Sequence, residues 1–381
     1  MSEPILSIEH LSVQYEVGAG TFRALRDVSL ELLPRRVLGI VGETGCGKST
    51  LGHAIPRLLP EPPARITSGK IGFRGVDLLS IPKWRLPTIR GTEIGMIFQE
   101  PLNSLHPAYR IYDQIVEAIK VRRFRERKGS STLGPDLQPH DYSRTPGAPK
   151  ASEMLTRSVI PGIAVKPPGP RSRENPELRE EVLEFLRLVR INDPERILEL
   201  YPHELSGGMR QRVMIAMALS EKPSLLIADE PTSALDLTIQ AQVLTLMKEL
   251  MEEVQTSILF ISHDLGVIAE MADDIGVMYA GSLVELGPAT EIFERPRHPY
   301  TKLLLRSVPT RHKEEGLLTT MTGSVPNLSR LPSGCAFHPR CPLARPSCAE
   351  DPGPPLVPLR EVVTGERGSA CYFSNEVEAM P

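Results

Sequence analysis

No apolar stretch in these 381 residues approaches the roughly 20 needed to span a bilayer. The start, MSEPILSIEHLSV, also lacks the basic-then-apolar order of a secretory leader. The two absences lead to the expectation of a cytosolic chain, one that serves a membrane only as a peripheral subunit. Charge of either sign is in small excess: 44 basic against 47 acidic side chains leave a net charge of −3. That balance offers no general attraction to nucleic acid or anionic lipid, so partners must be read from motifs. No internal repeat is visible. Five cysteines in a reducing compartment are not expected to pair as disulfides, so a cluster of them points to metal.

At this length the chain suits a large α/β core with appendages. Alternating apolar and polar residues in ILSIEHLSVQY and VSLEL predict antiparallel strands. RVLGIVG at 36–42, SLLIAD at 224–229 and TSILFISH at 256–263 read as buried strands, and helical spacing over Thr238 to Met251 separates the last two. Strand, helix, strand in this order implies a parallel sheet with helices packed on it. From about Val121 to Asn175 the composition changes, basic at first (VRRFRERK) and then rich in Pro, Gly and Ser. This segment is expected to be a flexible insertion. Beyond Leu286 the shift toward Pro, Arg and Cys marks a C-terminal appendage.

Gly42-Glu43-Thr44-Gly45-Cys46-Gly47-Lys48-Ser49, followed by Thr50, is a complete GxxxxGK[ST] loop between an apolar strand and a helix. Its glycines let backbone N–H groups turn inward as an anion nest, Lys48 serves the β and γ phosphates, and Ser49 offers a hydroxyl to Mg²⁺. Cys46 sits at a variable position and needs no redox role. The partner half of such a site is a buried strand closed by carboxylates, which LLIAD and Glu230 supply. Asp229 is expected to hold Mg²⁺ and Glu230 to polarise the attacking water, because packing alone does not explain two carboxylates closing an apolar run.

Between these halves, Leu205-Ser206-Gly207-Gly208-Met209-Arg210-Gln211-Arg212 resembles the LSGGQ-type signature of ABC ATPases. The resemblance implies an ABC-type P-loop ATPase fold, α/β, with a mixed core sheet, an antiparallel β subdomain, a helical subdomain and a C-terminal appendage. Boundaries are expected at 1–103 and 205–286 for the two parts of the core, 104–204 for the helical subdomain with its insertion at about 122–175, and 287–381 for the extension. In this family two chains sandwich two ATP molecules, each held by the loop of one chain and the signature of the other, here Ser206, Gly207 and Gly208. Gln99 in IGMIFQEP matches the glutamine that contacts Mg²⁺ and the attacking water. Asp236 in Ser233-Ala234-Leu235-Asp236 matches the loop that crosses the dimer interface. His263 matches the histidine that senses the γ-phosphate, and Tyr15 fits the aromatic that stacks on adenine.

Arg297-His298-Pro299-Tyr300-Thr301 is similar to the HPYT element that follows the core in oligopeptide and dipeptide transporter ATPases. Phe98 to Pro107 resembles that group's FQDPxxSLNP, with Glu100 and His106 as departures. The resemblance implies ATP hydrolysis that powers bacterial uptake of oligopeptides or dipeptides, with nickel or another small solute, or a soluble ABC ATPase outside transport, as alternatives. It further implies a related ATPase as partner, two transmembrane permease subunits, a solute-binding protein acting indirectly, and a place on the cytoplasmic face of the inner membrane. Cys335, Cys341, Cys348 and Cys371 are spaced with 5, 6 and 22 residues between them. Four thiolates suit zinc or an iron–sulfur cluster, and the resemblance favours a four-iron four-sulfur cluster over zinc or empty thiols.

Overall fold

The computed structural model describes residues 3–18, 20–99, 104–128, 175–233, 235–307, 323–358 and 367–380. The predicted insertion lies outside the described residues from position 129 to position 174, as does Glu100 in the FQEP stretch. In chain order the strands are β1 (Leu6–Val17), β2 (Gly20–Leu32), β3 (Val37–Val41), β4 (Ala64–Phe73), β5 (Val76–Asp77), β6 (Ile94–Ile97), β7 (Leu225–Asp229), β8 (Ser257–Ser262), β9 (Asp274–Tyr279), β10 (Ser282–Pro288), β11 (Val357–Pro358) and β12 (Gly368–Ser369). Contacts divide the chain into two compact units, one of Met1–Leu79 with Ile258–Pro381 and one of Ser80–Ser257.

In the first unit, β1 pairs antiparallel with β2 and β4, and β4 with β5. The alternation of Leu6, Ile8, Leu11 and Val13 with exposed polar residues buries one face of this sheet. The second sheet of the unit is mixed. β3 runs parallel to both β8 and β9, whereas β10 pairs antiparallel with β9 and with β12, which in turn pairs with β11. Every residue of β3 and of β8 is buried, which explains their unbroken apolar sequences: strands covered on both faces have no polar side to show.

The C-terminal segment adds β12 and β11 to this sheet instead of forming a body of its own. The link is electrostatic. Glu285 on β10 is fully buried, and its carboxylate accepts the amides of Arg297 at 2.7 Å and His298 at 2.9 Å and the Arg367 guanidinium at 3.2 Å. A buried charge held this way is satisfied, whereas loss of one partner leaves an uncompensated ion. The helix Pro299–Arg306 starts from the same place, and Lys302 Nζ on it donates to the carbonyls of Val377, Glu378 and Met380.

In the second unit, β6 and β7 form a parallel pair. The helices Ile111–Lys128, Pro176–Leu188 and Gly207–Ser220 pack on one another through Ile115, Ile119, Val182, Leu186 and Val213. The basic run predicted to begin the insertion is the end of the first of these helices. Arg122 bonds Glu181 and the Ser220 carbonyl, and Arg123 bonds Glu181 at 2.6 Å. Those arginines are therefore engaged in holding helices together.

Candidate functional site

The phosphate loop turns out of the buried strand β3 and ends in the helix Lys48–Ala54. Gly47 has φ of +106°, and a Cβ there would lie 2.5 Å from the Ala24 carbonyl oxygen, so the position tolerates no side chain. Gly45, at φ +83°, has nothing within 4 Å of an added Cβ and opens to free space. Lys48 is only 5% exposed, and its ammonium is met by the carbonyls of Gly42 at 2.8 Å and Glu43 at 3.2 Å. Among the described residues it makes no ion pair. A buried cation that faces neutral dipoles beside an open glycine corner fits a multiply charged anion. Cys46 is fully buried, and burial pushes its thiol up. It therefore stays neutral and acts as packing under the loop. Ser49 and Thr50 lie on the helix that follows.

Side chains distant in sequence brace the outer end of this loop. The Glu43 amide donates to the Tyr300 hydroxyl at 2.9 Å. The Glu43 carboxylate takes two bonds from Arg340, at 2.8 and 3.1 Å. Burial would lower the Arg340 guanidinium, yet its bonds to Glu43 and Tyr279 raise it above the ordinary arginine value. Burial pushes the Tyr300 phenol up as well, so its hydroxyl is neutral and free to accept. Neither Tyr300 nor Arg340 was assigned a site role from sequence. One signal was present: a carboxylate inside an anion-binding loop needs a cation beside it.

Tyr15 on β1 stacks on Phe22 of β2, the ring centroids 5.4 Å apart and the planes within 7°. Phe22 also escaped the sequence reading. His263 is exposed immediately after β8, and Asp264 caps the next helix by accepting the Gly266 amide at 2.8 Å.

In the second unit, Asp229 ends β7 and is 1% exposed. Glu230 follows with φ of +47°, an unusual conformation for a side chain of this size and one that costs about 1–3 kcal/mol. Gln99, just beyond β6, donates from Nε2 to Glu230 Oε2 at 3.0 Å. Two candidates separated by 131 positions are thus in direct contact. The parallel pairing of β6 and β7, which sets Ile97 beside Ala228, brings them together.

Ser206 caps the helix Gly207–Ser220, its hydroxyl accepting the Met209 amide at 3.3 Å. Buried Leu205 anchors the turn, while Ser206 and Gly207 are exposed. Gly207 has nothing within 4 Å of an added Cβ, and at Gly208 only the Ile239 side chain comes close, at 3.0 Å. Asp236 caps the helix Leu237–Val254 by accepting the amides of Thr238 and Ile239. The next side chain, Leu237, is 83% exposed.

The cysteine tail requires a correction. Cys335, Cys341, Cys348 and Cys371 line one small pocket with Phe337, Leu343, Tyr372 and Phe373. Even so, among the described residues no group of three or more His, Cys, Asp or Glu is arranged to hold a metal ion. The four-iron four-sulfur cluster and its zinc alternative, both expected from spacing and resemblance, are therefore withdrawn. The thiols are spread among apolar side chains and are not grouped as a ligand set. Burial among apolar side chains raises Cys335 and pushes Cys341 up to about 11 and Cys371 up to about 12. With no metal present these three thiols are uncharged at neutral pH.

A glycine-rich loop that closes a buried strand over a buried lysine, in a chain that also carries a strand-end carboxylate pair, defines a P-loop nucleotide-binding protein. The comparisons extend this. The ABC transporter family model matches residues 25–233, and the model of the oligopeptide/dipeptide transporter C-terminal region matches residues 284–348. A probable peptide ABC transporter ATP-binding protein of Sinorhizobium fredii is 40% identical over 98% of this chain and 96% of its own length. The dipeptide transport ATP-binding protein DppD of Bacillus subtilis is 41% identical over 89% of this chain and 87% of its own. Among solved structures, a dimeric bacterial ABC transporter cassette superposes with a TM-score of 0.55 at 23% identity, over 74% of this chain and 98% of that one. The chain belongs to the ABC transporter family, as an ATPase subunit that carries the oligopeptide/dipeptide-type C-terminal region. Among the described residues no helix is long and apolar enough to cross a membrane.

Proposed function

We propose that this chain hydrolyses ATP to power a bacterial importer of oligopeptides or dipeptides. The observation that carries the reading is the near full-length likeness to peptide-import ATP-binding proteins, which extends through the C-terminal region as well as the cassette. In this reading Lys48 and the loop amides from Gly42 to Thr50 hold the phosphates, and Tyr15, with Phe22 beneath it, receives the adenine. Ser49, Asp229 and Gln99 are the oxygen donors suited to Mg²⁺. When bound, that ion neutralises charge on the β and γ phosphates.

Glu230 takes the role of base toward the attacking water. Gln99 holds its carboxylate in place, and the left-handed backbone fixes the direction in which it projects. His263 senses the γ-phosphate. Ser206, Gly207 and Gly208 complete the site of a second, related ATPase, and Asp236 lies at that interface. An exposed signature turn that starts a 14-residue helix, with open space at Gly207, supports this, since a helix start favours an anion. Two permease subunits would convert opening and closing of the pair into transport, with the chain peripheral on the cytoplasmic face.

The test is to isolate the chain with its membrane partners and add solutes on their binding protein. Di- or oligopeptides are expected to accelerate ATP hydrolysis. Acceleration by nickel or another small solute alone would replace the cargo, and failure to associate with any membrane protein would favour a soluble ABC ATPase.

A further inference from the structure

We infer that Arg340 and Tyr300 are positioning residues for the phosphate loop, acting through Glu43, so that the C-terminal region sets the affinity of the loop for nucleotide. The inference rests on the nucleotide-site reading above and concerns residues that touch no phosphate themselves.

Glu43 puts a carboxylate inside a loop built to receive a polyanion, and a like charge within the loop opposes binding. Arg340 meets that carboxylate with both arms of its guanidinium, and its side chain is 6% exposed against 28% for Glu43. In so dry a place the pair is weakly screened, and a fork of two parallel bonds fixes orientation as well as charge. The aromatic wall defines the arginine in turn. Its guanidinium carbon lies 5.8 Å from the Tyr279 ring centroid and 5.9 Å from that of Phe337, and Nη1 donates to the Tyr279 hydroxyl at 3.3 Å. Arg340 thus neutralises Glu43 and holds it turned toward the C-terminal region.

The Gly42–Glu43 peptide is planar, so its N–H and C=O point in opposite directions. The N–H is held by the Tyr300 hydroxyl at 2.9 Å, and the C=O holds Lys48 Nζ at 2.8 Å. Tyr300 therefore orients the very carbonyl against which the ammonium rests. The tyrosine itself has little freedom. It is fully buried, its amide is capped by His298 Nδ1 at 3.1 Å, and its ring packs against Tyr279 at 4.7 Å and Phe337 at 5.4 Å.

Phe337 and Arg340 belong to the turn that joins Cys335 to Cys341, where the His338 amide donates to the Cys335 carbonyl and the Arg340 amide to the Phe337 carbonyl. The same turn thus carries the loop brace and lines the thiol pocket through Cys335, Phe337 and Cys341.

The experiment measures the affinity of the full-length chain for a fluorescent ATP analogue, and kcat and KM of the assembled transporter, for Arg340→Ala, Arg340→Lys, Tyr300→Phe, Glu43→Gln and the Arg340→Ala/Glu43→Gln double variant. Arg340→Ala is expected to weaken binding about tenfold or more, because the carboxylate is left uncompensated. Most of the loss should appear in KM and little in kcat. Arg340→Lys should recover part of it, and Tyr300→Phe should weaken binding severalfold. Glu43→Gln removes the charge that Arg340 answers, so the double variant should bind better than Arg340→Ala alone.

Equal affinity in the wild type and Arg340→Ala, or equal losses in Arg340→Ala with and without Glu43→Gln, would overturn the inference. Should Arg340→Ala fail to fold, Arg340→Lys and Tyr300→Phe decide the matter, since both keep the bulk of the side chain. Wild-type affinity in both would sink it. A wild-type chain that binds no nucleotide would instead remove the underlying reading.

Discussion

The phosphate loop and the signature turn are both glycine-rich segments that open a helix, yet the structure treats them in opposite ways. The loop is braced at both ends, with Thr44 and Gly45 exposed at its tip. Gly47 has no room for a side chain, Lys48 is buried, and Glu43 is held by residues from far along the chain. The turn is bare: Ser206 and Gly207 are exposed, and a serine hydroxyl supplies the cap. In the proposed reading one holds the chain's own nucleotide and the other completes the site of a second chain. A helix start whose serine cap is exposed and whose glycine is uncovered supports the proposed complement from a second chain.

The largest expected effect separates chemistry from binding. Glu230→Gln keeps the size of the side chain and its reach toward Gln99 but removes the charge that takes a proton. Hydrolysis should fall by about 10² to 10⁴ while ATP binding persists, so a closed, nucleotide-loaded pair should accumulate and be visible by size on a column run with ATP. Near-normal turnover would reassign the base.

A paired substitution breaks the comparison of loop and turn directly. Gly47→Ala places a methyl group 2.5 Å from the Ala24 carbonyl at a positive φ, and should destabilise the chain by about 1–3 kcal/mol and abolish ATP binding. Gly207→Ala meets nothing and should leave stability within about 0.5 kcal/mol. It should nonetheless lower hydrolysis in the assembled pair, because in the proposed reading the methyl group faces the other chain's nucleotide. Thermal melts and ATPase assays on the two variants would check this. A Gly207→Ala chain with full activity would mean that the turn faces no partner.

These contrasts also explain what could be read from sequence. The strand β3, the loop after it and the carboxylates after β7 were legible because local chemistry dictates them: a buried apolar run, glycines where side chains do not fit, and charges that packing alone does not account for. The contact of Gln99 with Glu230 and the brace on Glu43 were not legible, because strand order and the return of the C-terminal segment decide them. The cysteines show the opposite failure. Their spacing suggested ligands, whereas in the fold they line a pocket with Phe337 and Phe373 and form no metal-holding group among the described residues. Spacing reports which side chains can meet, and the fold decides how they are arranged when they do.

The smallest expected effect tests whether the brace is acid-sensitive. Burial depresses His298 to about 3, so it is neutral in the folded chain and caps Tyr300 through Nδ1. In the unfolded chain the same imidazole titrates near 6.5. Between those values the unfolded state binds a proton that the folded state refuses. The contribution of His298 is therefore present above about pH 6.5 and is lost as pH falls, by about 2 kcal/mol at pH 5. Glu285, which accepts the His298 amide, works in the other sense: burial raises its carboxyl, so the folded chain takes up that proton more readily as pH falls. The measurement must therefore be a difference. His298→Asn keeps an acceptor for the Tyr300 amide without titrating, so urea midpoints of the two chains should converge between pH 6.5 and pH 5 as the wild type weakens. Parallel curves would show that His298 carries a proton in the folded state, and the cap on Tyr300 would then need another acceptor.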